Sequence, residues 1–239
     1  AGIGNIYADE SLWRARIHPK RTADSLNKNE VSRLRASIFK VLKEAIDKIK
    51  SLKDKEGLSG IPSGFRDVDK ETGGWQSSDL IIIAARPAMG KTAFLLSMAR
   101  NITVEHNIPM ALFSLEMASV QLITRMIASE TGISSEKLRK GQMSEEEWQR
   151  LFSNVAALEN APLYIDETPA LSVFDFRAKC RRLVMQHGVR IIMVDYLQLM
   201  TANSGGKGGG NREQEIATIS RSLKAIAKEL NVPVIALSQ

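Results

Sequence analysis

One short loop of the chain carries residue types that bind nucleotide phosphates. It follows the apolar run 80–85, opens a helical pattern, and consists of Ala85-Arg86-Pro87-Ala88-Met89-Gly90-Lys91-Thr92. It fits the phosphate-loop motif except that Ala85 stands where a first glycine is usual. In such a loop backbone N–H groups surround the phosphates, and no bulky Cβ can intrude near the glycine. Lys91 supplies a charge for the β- and γ-phosphates, and Thr92 a hydroxyl for Mg²⁺. The sequence therefore predicts a nucleotide site here.

Polar side chains that could complete this site follow three other apolar runs. Asp195 ends the run 191–194, and a carboxylate there reaches the metal directly or through water. Glu116 follows the run 111–115, where it could orient an attacking water or simply stabilise a helix N-terminus. Gln239 follows the run 236–238 and could sense the γ-phosphate or couple it to a DNA loop, or it could be a frayed last residue. The residues alone do not decide between the alternatives for Glu116 or between those for Gln239.

The apolar pattern predicts an α/β core. Five short runs rich in Ile and Val are predicted strands: 80–85, 110–114, 163–166, 190–195 and 232–237. The amphipathic stretches that separate most of them are predicted helices: 92–106, 117–131, 145–158, 173–187 and 213–230. Buried strands that alternate with helices are typical of a parallel sheet covered on both faces.

A small helical segment precedes this core. A first helix is predicted from about Asn5 and is broken at His18-Pro19. A second helix, capped by Asn27 or Asn29, carries its apolar residues in steps of three and four along one stripe. We therefore interpret residues 1–50 as a helical segment, 51–64 as a linker and 65–239 as the α/β core.

Composition and charge narrow the class of protein. Apolar residues make up 44% and charged residues 25%, which excludes collagen-like and disordered classes for most of the chain. No apolar run is long enough for a membrane span, and we expect no membrane partner. The single cysteine, Cys180, predicts no internal disulfide and a reducing compartment, and no cluster predicts zinc. Residues 1–56 hold 13 basic and 8 acidic side chains, against 20 and 19 afterwards. That asymmetry indicates either a nucleic-acid contact or a solvated helix face.

Several strings between residues 57 and 239 resemble the motor domain of the bacterial replicative DNA helicase, the DnaB family. The matching strings lie at 57–65, 81–92, 113–117, 177–183, 194–199 and 211–239. The resemblance implies a RecA-like fold and Mg-ATP hydrolysis. It also implies a ring of six identical subunits that moves on single-stranded DNA in the bacterial cytoplasm, at the nucleoid, with primase or a helicase loader as partners.

The resemblance also implies roles for individual residues. By position, Lys91 and Thr92 match the nucleotide loop, and Asp195 matches the metal-associated aspartate. Glu116 matches the catalytic glutamate and Gln239 the sensor glutamine. The glycine-rich stretch 203–211, with Lys207 and then Arg212, could face the central channel and touch DNA phosphates, or it could be a disordered surface loop.

The first part of the chain resembles a different family. The strings 1–13 and 17–19 are similar to the helix-two-turn-helix module of formamidopyrimidine-DNA glycosylase, and the likeness continues to about Ala45. In that family the residue matching Asn5 touches a DNA phosphate near the lesion. The catalytic N-terminal proline and the zinc finger of that family have no match here, so we expect no glycosylase chemistry. The chain is therefore interpreted as a fusion joined near residues 43–50.

The helicase resemblance ends at Gln239, ahead of the family's later segment. In the family that segment holds a DNA-binding loop, further strands and an arginine finger, which typically contributes about 10³–10⁵ in rate. A sheet cut after its fifth strand is also expected to expose an apolar edge. From the sequence we expect weak or absent turnover even where ATP binds.

Four hypotheses for function remain at this stage. The chain could be the ATP-driven motor core of a helicase, or a DNA-binding module whose core binds ATP without productive turnover. It could belong to another class of RecA-like ATPase, such as a recombinase or a clock-type hexamer. It could also be an artificial fusion or an assembly error between two genes.

Overall fold

The computed structural model of the chain describes residues 5–52, 58–201 and 212–238. Its contacts divide the chain into two units, Ala1–Gly57 and Leu58–Gln239. The helices are α1 Asn5–Arg14, α2 Lys28–Leu52, α3 Arg66–Thr72, α4 Lys91–Arg100, α5 Ser119–Thr131, α6 Ser135–Lys140, α7 Glu145–Glu159, α8 Val173–His187 and α9 Arg212–Leu230. The strands are β1 Leu80–Ala84, β2 Met110–Ser114, β3 Leu163–Asp166, β4 Ile191–Asp195 and β5 Val234–Ser238.

The first unit consists of α1 packed on α2. Ala15, Ile17 and Val41 are its buried apolar side chains among the residues described. Of the two predicted caps of α2, the structure uses Asn27: its Oδ1 accepts from the backbone N–H of Glu30 at 2.9 Å, and Glu30 Oε2 accepts from the backbone N–H of Asn27 at 3.0 Å. This reciprocal pair satisfies two donors that a helix start leaves unpaired.

The second unit is built on a five-stranded sheet in the order β1-β5-β4-β2-β3, and each pairing is parallel. Alternate residues of the strands face opposite sides. On one side Phe113 and Val194 pack in a core with α8 and α9. On the other side Leu112 and Met193 pack in a core with α4 and α5. Both faces of the sheet are therefore covered, which confirms the predicted α/β architecture with a parallel sheet.

The boundaries of the elements differ from the prediction for identifiable reasons. Strand β5 begins at Val234 rather than Val232. Pro233 comes just before it and has no N–H to donate to a ladder. The predicted helix 92–106 is α-helical only to Arg100 and continues as a π-helix over Asn101–Glu105. The sequence pattern does not predict the short helices α3 and α6, because six or seven residues are too few to show a helical period.

The segment interpreted as a linker, 51–64, spans the division between the units. Its described part from Leu58 onward is bonded into the second unit, since Ile61 is buried and pairs with Trp75 through two backbone hydrogen bonds of 2.7 and 2.9 Å. Gly64 has a φ of 78°, and a Cβ there would lie 2.3 Å from the Cβ of Asn101. Residues 59–64 therefore pack closely against the core.

The edges of the sheet are β1 and β3, and β5 lies between β1 and β4. Ile82 of the edge strand β1 is 44% exposed. Because β5 is an interior strand, its carboxyl end lies between those of β1 and β4. This placement brings the end of β5 to the phosphate loop, which follows β1 directly.

Candidate nucleotide-binding site

The parallel register places Asp195 and the phosphate loop together at the carboxyl-terminal edge of the sheet, where its strands end. Ser114 ends β2 and is paired with Asp195, which ends β4. Ser238 ends β5 and is paired with Ala84, the last residue of β1. The loop 85–90 leaves β1 at this edge and enters α4 at Lys91. The carboxyl ends of four strands and the start of one helix therefore meet here, as expected for ligand sites in open α/β sheets.

The phosphate loop is open on one side. Arg86 through Gly90 are exposed, and two residues of the loop have left-handed backbone conformations, Ala88 with a φ of 63° and Gly90 with a φ of 84°. The sequence predicts that a bulky Cβ near Gly90 would obstruct the phosphates. Within the protein itself, a Cβ at Gly90 meets nothing within 4 Å. The protein therefore requires glycine at position 90 for its positive φ and not for lack of space, and the space beside Gly90 is free for a ligand.

The base of the loop is held by a hydrogen bond between two predicted metal ligands. Thr92 donates through Oγ1 to Asp195 Oδ2 at 2.9 Å. Asp195 is only 3% exposed, and its burial raises the pKa of its carboxyl above the ordinary value. Glu116 adds to this rise, whereas the Thr92 hydroxyl and the charges of Lys91 and Arg125 oppose it. A buried carboxylate in this position gains from a cation beside it.

Lys91 lies at the same edge, and a hydrogen bond within the protein already orients its side chain. Its Nζ donates to the backbone carbonyl of Ser238 at 2.8 Å. The hydroxyl of Ser238 in turn accepts from Nε2 of Gln198 at 2.9 Å. Sequence reasoning selects neither Ser238 nor Gln198 for the site. The available signal was position, since each follows or ends a strand whose carboxyl end faces the loop.

Glu116 is exposed and lies in the turn after β2. The Ser114 hydroxyl donates to the carbonyl of Met117 at 2.7 Å and accepts from its N–H at 3.2 Å. The N–H of Leu115 donates to the carbonyl of Asp195 at 2.8 Å. These bonds tie the turn to β4, so the carboxylate of Glu116 stands at the edge that holds Asp195.

The remaining predicted site residues are not placed by the structure. Gln239 and Lys207 lie outside the described residues. The backbones of Asn5 and Arg212 are described as the first residues of α1 and α9, but their side chains are not. Their assignments to the sensor and to the DNA contacts therefore stay predictions.

The donor set at the loop suits Mg²⁺ in complex with phosphates. Over residues 5–52, 58–201 and 212–238 there is no group of three His, Cys, Asp or Glu side chains that could hold a metal ion. Magnesium keeps several waters and is commonly bound by one or two protein oxygens together with substrate phosphates. Thr92 and Asp195 are such a pair.

Within residues 5–52, 58–201 and 212–238, no helix is long and apolar enough to cross a membrane.

Comparison with known protein families identifies the larger unit. Residues 60–239 match the family described as the DnaB-like helicase C terminal domain. The chain belongs to this family. Residues 1–56 match the formamidopyrimidine-DNA glycosylase H2TH domain, which agrees with the predicted division into two resemblances.

Individual members of the helicase family are similar over most of the chain. The replicative DNA helicase DnaB of Geobacillus stearothermophilus is 48% identical over 204 residues, which cover 85% of this chain and 44% of that protein. The chain thus spans less than half the length of that curated relative.

Two solved structures share the fold. One, described as an ATPase domain, has a TM-score of 0.74 and 34% identity, covering 83% of this chain and 70% of that one. A DnaB-like replicative helicase, described with its interactions with primase, has a TM-score of 0.73 and 32% identity over 98% of this chain and 56% of that one. The RecA-like fold implied by the sequence is therefore confirmed. The second alignment also runs through most of the segment that matches the H2TH domain.

The raised pKa of Asp195 generates a prediction about stability. We expect Asp195→Asn to raise the Tm at neutral pH without added nucleotide. The amide carries no buried charge and its oxygen can still accept from Thr92. The rise should be about 2–4 °C for each kcal/mol of charge burial removed. Because the folded-state pKa is raised, ionisation of Asp195 lowers stability above that pKa. The gain should therefore shrink as the pH falls through that pKa toward the ordinary value of 3.8.

Thermal unfolding of both proteins between pH 4 and pH 8 measures this effect. Asp47→Asn, at an exposed carboxylate of α2 away from its first turn, is the matched control and should leave the Tm unchanged. A Tm for Asp195→Asn at or below that of the wild type at neutral pH would show that the buried charge is not a burden to the fold.

Proposed function

We propose that the chain is the ATP-hydrolysing motor core of a replicative DNA helicase. The observation that carries this proposal is the joint placement of Lys91, Thr92 and Asp195 at the phosphate loop, with the Thr92–Asp195 hydrogen bond at its base. Membership of the DnaB-like helicase family supports a helicase, and the solved ATPase domain that shares the fold supports nucleotide chemistry on this fold. Hydrolysis, translocation and unwinding by this chain are the proposed part.

Nucleotide binding would use the open side of the loop. The backbone N–H groups of the loop and the N-terminus of the ten-residue helix α4 favour an anion. The ammonium of Lys91 would take oxygens of the β- and γ-phosphates. Thr92 and Asp195 would hold Mg²⁺, Thr92 through its hydroxyl and Asp195 directly or through water. The ion, when bound, neutralises charge on the phosphates.

Hydrolysis would be an in-line attack of water on the γ-phosphorus, with the bond to the β–γ bridging oxygen breaking. Glu116 is the group proposed to orient that water and accept its proton. It is exposed at the same edge as Asp195, and its turn is fixed by the bonds of Ser114 and Leu115. Gln239, next after Ser238, is the proposed γ-phosphate sensor.

Coupling to DNA is the remaining part of this proposal. Single-stranded DNA is the proposed track, with Lys207 and Arg212 as contacts to its phosphates and a homo-hexamer as the working assembly. A structure that shares this fold is described with interactions with primase, which supports primase as a class of partner. A helicase loader is proposed on the family resemblance alone.

The role of Glu116 generates the second prediction. Because the turnover expected of the chain is weak, hydrolysis is measured in a single turnover with single-stranded DNA present. We expect Glu116→Gln to slow this single turnover by about 10²–10⁴-fold relative to the wild type, the usual contribution of a general base. Binding of Mg-ATP should be retained, because the amide leaves Lys91, Thr92 and Asp195 in place.

Glu159→Gln is the matched control, since Glu159 is an exposed carboxylate at the end of α7. It should hydrolyse ATP at the wild-type rate. Wild-type hydrolysis by Glu116→Gln, or equal loss of binding and hydrolysis, would remove Glu116 from the proposed role.

A second candidate function is favoured by the first unit. Its match to the H2TH domain and its excess of basic residues support a DNA-binding segment whose attached core binds ATP without productive turnover. Arg33 and Arg35 of α2 are exposed, and the guanidinium of Arg35 lies 5.7 Å from the centre of the Phe39 ring. A cleft of the same unit is lined by Trp13, Arg16 and Lys40, among others.

DNA binding that depends steeply on salt but not on ATP separates this candidate from the first. We expect DNA binding by the first unit to weaken steeply with salt, because each phosphate contact adds about 0.7–0.9 to the log–log slope. The variant Asn5→Ala, Arg33→Ala, Arg35→Ala should bind DNA more weakly and lower that slope by about 1.4 or more, with or without ATP.

The charge-matched control is Arg66→Ala, Arg150→Ala, at two exposed arginines of the second unit. It should leave both the affinity and the slope unchanged. Retained DNA binding in the first variant would contradict a DNA-binding role for these residues.

A further inference from the structure

Ser238 is held by two side chains from different parts of the site. Its backbone carbonyl accepts from Lys91 Nζ at 2.8 Å, and its hydroxyl accepts from Gln198 Nε2 at 2.9 Å. Ser238 is the last residue of β5, where the ladder with Ala84 of β1 ends. One residue therefore joins the segment after β4, the end of β5 and the start of α4.

Gln198 is itself firmly placed. It lies in the 3₁₀ turn Leu197–Leu199, which follows Asp195 at the end of β4 after one intervening residue. Leu197 and Met200 on either side of it are 2% and 1% exposed. The N–H of Met200 donates to the carbonyl of Leu197 at 3.1 Å, which closes the turn. The buried neighbours and the closed turn hold the backbone of Gln198 in place, and this restricts where its side-chain amide can lie.

The contact with Ser238 leaves Lys91 able to bind phosphate. An ammonium group has three donors and can rotate them. One donor is used by the carbonyl of Ser238, so two remain for phosphate oxygens at the open side of the loop. A lysine on a flexible four-carbon stem is directed by such an anchor, because fewer orientations have to be given up when the phosphates bind.

We propose that Gln198 is a positioning residue for Lys91 and acts through Ser238; this inference rests on the proposed nucleotide site. The Gln198 amide restrains Ser238 at the end of the β5 ladder, and the Ser238 carbonyl holds the ammonium of Lys91 toward the β- and γ-phosphates. Gln198 itself touches no phosphate in this scheme.

The comparison of ATP with AMP tests this proposal. In the proposed site Lys91 binds the β- and γ-phosphates, which AMP lacks. Loss of the orientation of Lys91 should therefore lower the affinity for ATP and leave the affinity for AMP unchanged. Removal of one neutral hydrogen bond corresponds to about a 2- to 12-fold change in affinity. We expect Gln198→Ala and Ser238→Ala each to weaken Mg-ATP binding by that factor, measured by calorimetry on the full chain, with AMP affinity unaltered.

Three further variants make the test specific. The double variant should bind ATP as weakly as either single variant, because both remove the same bond. Ser238→Thr keeps a hydroxyl on a strand residue and should retain wild-type affinity. If Gln198→Ala folds poorly, Gln198→Asn takes its place. It is shorter by one methylene, removes the bond with less disturbance, and should show the same loss of ATP affinity with AMP affinity unaltered.

The outcomes separate this proposal from the nucleotide site itself. If the wild type binds ATP through Lys91 while the Gln198 and Ser238 variants bind as the wild type does, the positioning role is wrong and the site stands. Equal weakening of ATP and AMP, or additive losses in the double variant, also contradicts it. If the wild type fails to bind ATP, the proposed function fails and this inference fails with it.

Discussion

The hydrogen bond from Thr92 to the buried carboxylate of Asp195 is the contact on which the arrangement of the site depends. It joins the helix that follows the phosphate loop to the central strand β4, 2.9 Å from oxygen to oxygen. Burial makes the charge of Asp195 costly, and nearby groups offset that cost only in part. Such a carboxylate suits ligand chemistry better than it suits stability, because a cation beside it would offset the cost of its buried charge.

Parallel register gives this contact its surroundings. Asp195 and Ser114 are paired across β4 and β2, and Ser238 and Ala84 across β5 and β1. Each pair brings a polar residue to the edge where the phosphate loop begins. The sheet therefore supplies position, and the loops and turns after its strands supply the groups that act.

Much of this could be predicted from the sequence, and the exceptions have physical causes. The β2 run 110–114 and the helix 173–187 agree with the structure, because buried strands and amphipathic helices have clear periods. Motif and strand position are enough to select Lys91, Thr92 and Asp195. Ser238 escapes such reasoning because the carbonyl that holds Lys91 belongs to the backbone and carries no side-chain signal. The pairing of Thr92 with Asp195, 103 residues apart along the chain, needs the fold.

A calorimetric titration decides whether the loop binds Mg-ATP through Lys91. The wild type, Lys91→Ala and Lys228→Ala, at an exposed lysine in the last turn of α9, should be titrated with ATP with and without Mg²⁺. We expect Mg²⁺-dependent binding by the wild type and Lys228→Ala, and loss of that binding in Lys91→Ala. Absence of binding by the wild type, or equal binding by Lys91→Ala, would contradict this expectation.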